Sequence, residues 1–215
     1  MSATMVRTGG VMVFFLILAV LVTGFMLAGA MAGAGAGGVP DPARFGSTLS
    51  LTMIVYLAIM IFVYWTTKGL FNAFGFRRAD TPILTLIILM AINLVLTVLG
   101  GAGAPAAETG PASGGGSGPF GIFSAIAVLA TVLAWIWFSI AAFGFGAQVG
   151  SQLWKAIGIV YLVGTSLAFV GNGLLLSGMG GATGLILLIA GPVVLGGWVC
   201  HGIGLIIGAR EMART

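Results

Sequence analysis

Apolar residues along this chain fall into long blocks, and the few charged residues stand between them. Arg7 and Asp41 are separated by 33 uncharged residues, Arg44 and Lys68 by 23, and Asp80 and Glu108 by 27. Two longer blocks follow, 46 residues from Glu108 to Lys155 and 54 from Lys155 to Arg210. A helix crossing about 30 Å of hydrocarbon at 1.5 Å per residue needs about 20 apolar residues. The first four blocks each hold one span, and the fifth holds two joined by a hairpin. The pattern predicts an all-α fold, one transmembrane domain of six helices over 10–32, 48–68, 82–100, 120–146, 154–177 and 183–208.

Several starts carry helix-entry chemistry. Thr81 before Pro82 reads as an N-cap followed by proline at the first helical position, and Pro119 after Ser117-Gly118 reads the same way. Ser47 and Ser151 are expected to cap the second and fifth helices. Gly178, Gly180 and Gly181 are expected to make the turn between the fifth and sixth.

Composition narrows the class further. Of 215 residues, 60% are hydrophobic and 6% are charged, against about 25% charged in a soluble domain. The mean hydropathy is +1.21. These values exclude a soluble globular enzyme, a disordered chain and a nucleic-acid-binding domain. The net charge of +4 rests on eight basic residues. With the N-terminus inside, Arg7, Lys68, Arg77, Arg78, Lys155, Arg210 and Arg214 share one face, and only Arg44 lies on the other. The positive-inside rule then places both termini in the cytoplasm and the protein in the cell (inner) membrane. Arg7, an apolar core and Ala28-Gly29-Ala30 resemble a signal peptide with a cleavage site. The apolar stretch outruns a leader's core, so a retained first span is expected.

The segment 101–119 is Gly, Ala, Ser and Pro with one charge, Glu108, and reads as a flexible external loop. On the opposite side, Phe71, Phe74 and Phe76 stand among Lys68, Arg77 and Arg78. That mixture suits a stretch lying in the interface, anchored in lipid or contacting a cytoplasmic partner.

The candidate chemistry is sparse. All four acidic residues, Asp41, Asp80, Glu108 and Glu211, fall outside the spans, so no intramembrane carboxylate offers a proton or cation relay. No phosphate loop, metal motif or nucleophile elbow is present, and neither a metal nor another cofactor is expected. His201 is the one titratable group placed inside a span. It is read either as a polar path or ligand contact, or as a neutral ring bonded to a neighbouring helix. Asn93, Asn172, Tyr56 and Tyr161 are the polar groups that would join it if they converge, with Thr85 and Thr165 also at depth. Trp135 and Trp137 lie inside the fourth span and are expected to pack. Pro192 frees one backbone carbonyl in the sixth.

Glycine is the strongest positive feature, with 37 in the chain. Gly29 and Gly33 are four apart in the first helix, and Gly196, Cys200, Gly204 and Gly208 repeat every four residues in the sixth. Such rows let helix backbones approach closely, within one subunit or against another. No enzyme signature appears. The sequence favours a non-catalytic scaffold or accessory subunit of a larger membrane complex. The partners would be the lipid bilayer and either another protein or a second copy, met through small-residue faces. The alternative is a channel or substrate-binding transport component for a small neutral or apolar solute.

Overall fold

The computed structural model describes residues 1–34, 42–103, 119–176 and 180–214. They form six long helices: α1 (Ala3–Ala34), α2 (Pro42–Ala73), α3 (Asp80–Gly103), α4 (Pro119–Gln148), α5 (Gln152–Leu176) and α6 (Gly180–Met212). Each contains a stretch long and apolar enough to cross a membrane. The helices outrun the predicted spans at several ends because a helix need not stop where the hydrocarbon does. Backbone hydrogen bonding continues into the interface, whereas the sequence pattern measured only apolar thickness. Gly178 and most of the 101–119 loop lie outside the described residues. Gly180 and Gly181 sit in the first turn of α6.

Each helix packs on its neighbours in the chain, and α1 closes against α6. A smaller contact joins α2 to α6. The inward faces follow helical spacing. Val6, Val13 and Leu16 are buried on α1; Met60, Tyr64, Thr67 and Phe71 on α2; Ile83, Leu86 and Met90 on α3. On α4 the buried row is Ala134, Phe138, Ala142 and Phe145, and on α5 it is Trp154, Ile157 and Tyr161. Residues three and four apart share a face, so each row makes one continuous stripe. Opposite these stripes stand Phe15, Leu18, Trp137, Ile140 and Leu188, which are exposed and suited to acyl chains.

Glycine sets the closest helix approaches. A Cβ on Gly10 would lie 2.8 Å from the Gly202 carbonyl oxygen, so α1 and α6 meet nearly backbone to backbone. A Cβ on Gly158 would lie 2.6 Å from both Phe143 N and Ser139 O, so α4 and α5 do the same.

Two tight turns close the end of the bundle that carries most of the basic residues. After α2, Phe76 N–H donates to the Phe71 carbonyl (2.9 Å) and Gly75 N–H to that of Asn72 (3.0 Å). This is a Schellman ending, with Gly75 left-handed at φ +75° and the Phe71 and Phe76 rings packed edge to face. After α4, Gly150 is left-handed at φ +71°, and Ser151 N–H donates to the Gly146 carbonyl (2.9 Å). The Ser151 hydroxyl then accepts from Trp154 N–H at 3.4 Å, capping α5 as its sequence position suggested. At α3 the structure differs from expectation. A short 3-10 turn over Arg77–Ala79 leads straight into the helix at Asp80, ahead of Thr81-Pro82. Asp80 there meets the positive helix end and Lys68 Nζ at 3.2 Å, which draws the start forward. Ser47, expected as a cap, lies inside α2.

Nothing lies within 4 Å of the position a Cβ would take on Gly75, so a side chain there meets only backbone strain. Gly75→Ala is expected to cost about 1 kcal/mol, the usual penalty of a left-handed L-residue. Gly75→Asn should cost less. Chemical denaturation in detergent micelles checks both.

Candidate functional site

The polar centre of the bundle is His201 on α6, which is 1% exposed. Its ring is walled by aromatic side chains from three other helices. Phe138 of α4 lies roughly parallel to it at 5.8 Å, and Trp154 of α5 meets it edge-on at 5.5 Å. Tyr64 of α2 and Tyr161 of α5 each stand 5.8 Å away. Trp135 packs behind them against Tyr64 and Tyr161. The expected packing role suits Trp135, while Trp137 on the same helix is exposed.

Both imidazole nitrogens are engaged. The Thr67 hydroxyl donates to the Val63 carbonyl at 2.8 Å, which uses its proton. Its oxygen therefore accepts from His201 Nε2–H, at 2.9 Å. Nδ1 is left as the acceptor for the Tyr161 hydroxyl, at 3.1 Å. A single chain of bonds thus runs from α5 through α6 to α2, and it selects the Nε2–H tautomer. This satisfies every polar atom of a ring that would otherwise sit unpaired in an apolar interior.

The other expected partners of His201 divide. Tyr161 joins it directly. Tyr56, half-buried, packs on Trp198 at 5.7 Å. Asn93 of α3 instead donates to the Thr131 hydroxyl of α4 at 2.8 Å, and Thr131 donates onward to the Ala127 carbonyl. That pair bonds α3 to α4 and does not reach the histidine. The side-chain surroundings of Asn172, Gly29 and Gly33 lie outside the described residues. Thr67, which completes the histidine's bonding, was missed by sequence. Its signal is weak, a threonine near the end of a span, and only the α2–α6 contact gives it a partner.

The glycine row of α6 does not present one face to one neighbour. Gly196 opens onto free space, and Cys200 is half-buried without a disulfide. Gly204 lies against Ile157 and Trp154 of α5, and Gly208 against Leu70 of α2. The reason is geometric. At 3.6 residues per turn, a strict four-residue repeat rotates by about 40° per step, so the row winds around the helix. Gly197 and Gly202, off that row, face Tyr161 and Phe14.

The α2–α3 segment, expected to lie in the interface, is only partly exposed. Arg77 and Arg78 are exposed, but Phe71 is 1% exposed and Phe76 is 7%. Phe71 stacks on Phe145 at 4.0 Å and meets Trp154 edge-on at 5.0 Å. Phe71 continues the inward row of α2, and the Schellman turn brings Phe76 back against it in an aromatic cluster. Phe74 is half-buried, 6.0 Å from Phe145. Lys68 is held by Asp80 and lies over the Trp65 ring.

Two voids flank the histidine. A cavity of about 210 Å³ opens at the basic end among Leu70, Phe145, Trp154, Gly208 and Glu211. Trp154 separates it from His201, which it touches. On the histidine's own side, Val13, Leu16, Met60, Val63, Tyr64, Tyr161, Trp198 and His201 line a narrow crevice. Among the described residues, no group of three metal-ligating side chains comes together.

Among the described residues the fold is all-helical, with six helices able to span a membrane, and this defines the class as a multi-pass membrane protein. No protein family, curated protein or solved structure matches the chain.

Proposed function

We propose that this protein is a non-catalytic scaffold or accessory subunit of a larger membrane complex, seated in the cytoplasmic membrane with both termini inside. The observation that carries the reading is the bonding of His201. Its two nitrogens are spent on Thr67 and Tyr161, inside an aromatic enclosure on which the basic-end cavity abuts at Trp154. A histidine so used joins helices rather than moving protons or binding substrate. Asn93, paired with Thr131, adds no second reactive group beside it. The orientation rests on the distribution of lysine and arginine. An apolar outer surface, open at Gly196 on α6, leaves room there for another backbone to seat.

The test is gentle extraction of the native membrane, then native mass spectrometry. A stoichiometric partner beside this 21.7 kDa chain is the expected result. A lone chain or a pure homo-oligomer sinks the reading. The alternative, a channel or solute-binding transport component, draws support from the crevice beside His201. Solute flux into liposomes that falls on His201→Ala would favour it.

A further inference from the structure

Two donors in the bundle interior lack a partner. The Tyr64 hydroxyl and the Trp198 indole N–H are buried and bond to nothing among the described residues. Tyr64 is fully buried and Trp198 is 6% exposed. Both line the same crevice, enclosed by α1, α2, α5 and α6, with His201 and Tyr161 in its wall. An unpaired buried polar group is costly, more so where no water competes. Two such groups from different helices on one void are rarer still, since native interiors leave few polar atoms unsatisfied. The remaining walls, Val13, Leu16, Met60 and Val63, are apolar. Apolar walls with a few polar residues among them are the usual make-up of a small-molecule site.

We infer that this crevice is a binding site for a small neutral molecule presenting an oxygen acceptor to the Tyr64 hydroxyl and the Trp198 N–H. An anion would find no cation there, because the lining residues carry none. A cation would find no carboxylate. The crevice as it stands is too narrow to admit a water molecule, so an occupant enters only when a wall moves. Met60 is the adjustable wall, an unbranched side chain with three rotatable bonds that can swing to widen the crevice. The acceptor oxygen can come from an internal water or from a membrane-soluble carbonyl compound. The site is independent of whether the bundle has a protein partner.

The experiment follows the five indole N–H signals of the full-length, tryptophan-15N-labelled protein in lipid nanodiscs by NMR. Trp198→Phe assigns the relevant signal. If that variant does not fold, Phe substitution of the other four tryptophans assigns it by elimination. Cyclopentanone is the probe and cyclopentane the shape-matched control without an acceptor. The expected result is a saturable downfield shift of the Trp198 proton with the ketone and none with the hydrocarbon. Tyr64→Phe should weaken ketone binding about tenfold, the worth of one good hydrogen bond. Trp137→Phe, on the exposed face, should leave it unchanged.

The protein as purified distinguishes the sources. A downfield Trp198 signal with magnetisation exchange to water identifies a resident water. A downfield signal without exchange, lost on delipidation, identifies a carbonyl compound from the membrane. A Trp198 signal that is unbonded as purified and unmoved by cyclopentanone overturns the assignment. So does an equal response to cyclopentane.

Discussion

Replacing Gly158 with valine is expected to lower the unfolding free energy by about 3 kcal/mol, the upper part of the usual range for overpacking. The atoms that a Cβ would strike are the Phe143 nitrogen and the Ser139 carbonyl oxygen, each at 2.6 Å, with the Phe143 Cβ at 2.8 Å. Two of the three are helical backbone and cannot turn aside like a side chain. Helices α4 and α5 must separate, and the aromatic wall that Phe138 and Tyr161 build across that seam separates with them. Gly196 is the control. Its Cβ position is open, so Gly196→Ala removes only glycine's helix penalty and should leave stability unchanged or slightly higher. Thermal unfolding of both variants in the same detergent compares them directly. Equal midpoints for Gly158→Val and wild type would mean that α4 and α5 do not approach in this way.

His201→Ala is the second large effect, again expected near 3 kcal/mol. Most of the loss comes from the cavity left among Tyr64, Phe138, Trp154 and Tyr161. The broken bonds add less, because hydrogen bonds between membrane helices average about 0.6 kcal/mol. Losses divide unevenly between the partners. Thr67 keeps its bond to the Val63 carbonyl, whereas the Tyr161 hydroxyl is stranded. Tyr161→Phe, which preserves the ring, should therefore cost only about 1 kcal/mol. In a double-mutant cycle the two substitutions should fall short of additivity by about the same amount, since the Tyr161 hydroxyl has no acceptor once the imidazole is gone. Full additivity would show that Tyr161 and His201 do not share a bond. A variant His201→Ala as stable as wild type would remove the imidazole from the structural account altogether.

The glycine row of α6 and the phenylalanines of the α2–α3 turn depend on contacts that residue order alone does not give. Counting glycines four apart finds a row without revealing what lies opposite each member. Gly204 meets α5 and Gly208 meets α2 because the row rotates as it descends, while Gly10 and Gly202 meet across the α1–α6 contact without sharing any repeat. Phe71 and Phe76 looked like interfacial residues because they stand beside cations. Phe71 continues the inward row of α2, and the left-handed Gly75 turns the chain so that Phe76 comes back against it. The Phe74-Gly75-Phe76 sequence carried a signal for that turn, an isolated glycine after a helix with aromatic residues on either side, but charge pattern outweighed it. His201 was legible as an isolated polar residue at depth. Its bonding was not, because Thr67 and Tyr161 come from two other helices.

What the amino-acid sequence determined by itself is the number of helices able to span a membrane, their rough limits, the capping role of Ser151, and the rarity of titratable groups in the interior. Each depends on local properties: apolar length, a cap residue, the position of a charge. The tertiary structure alone decided which face of each helix turns inward, that α1 closes on α6, and that His201 is tied to Thr67 and Tyr161 within an aromatic wall. In a soluble protein, the contrast between apolar and polar faces reveals the inward side of a helix. Here lipid and core are equally apolar, so hydrophobicity favours neither face. The choice falls to small residues, aromatic rings and single hydrogen bonds, whose value exists only once the partner helix is in place.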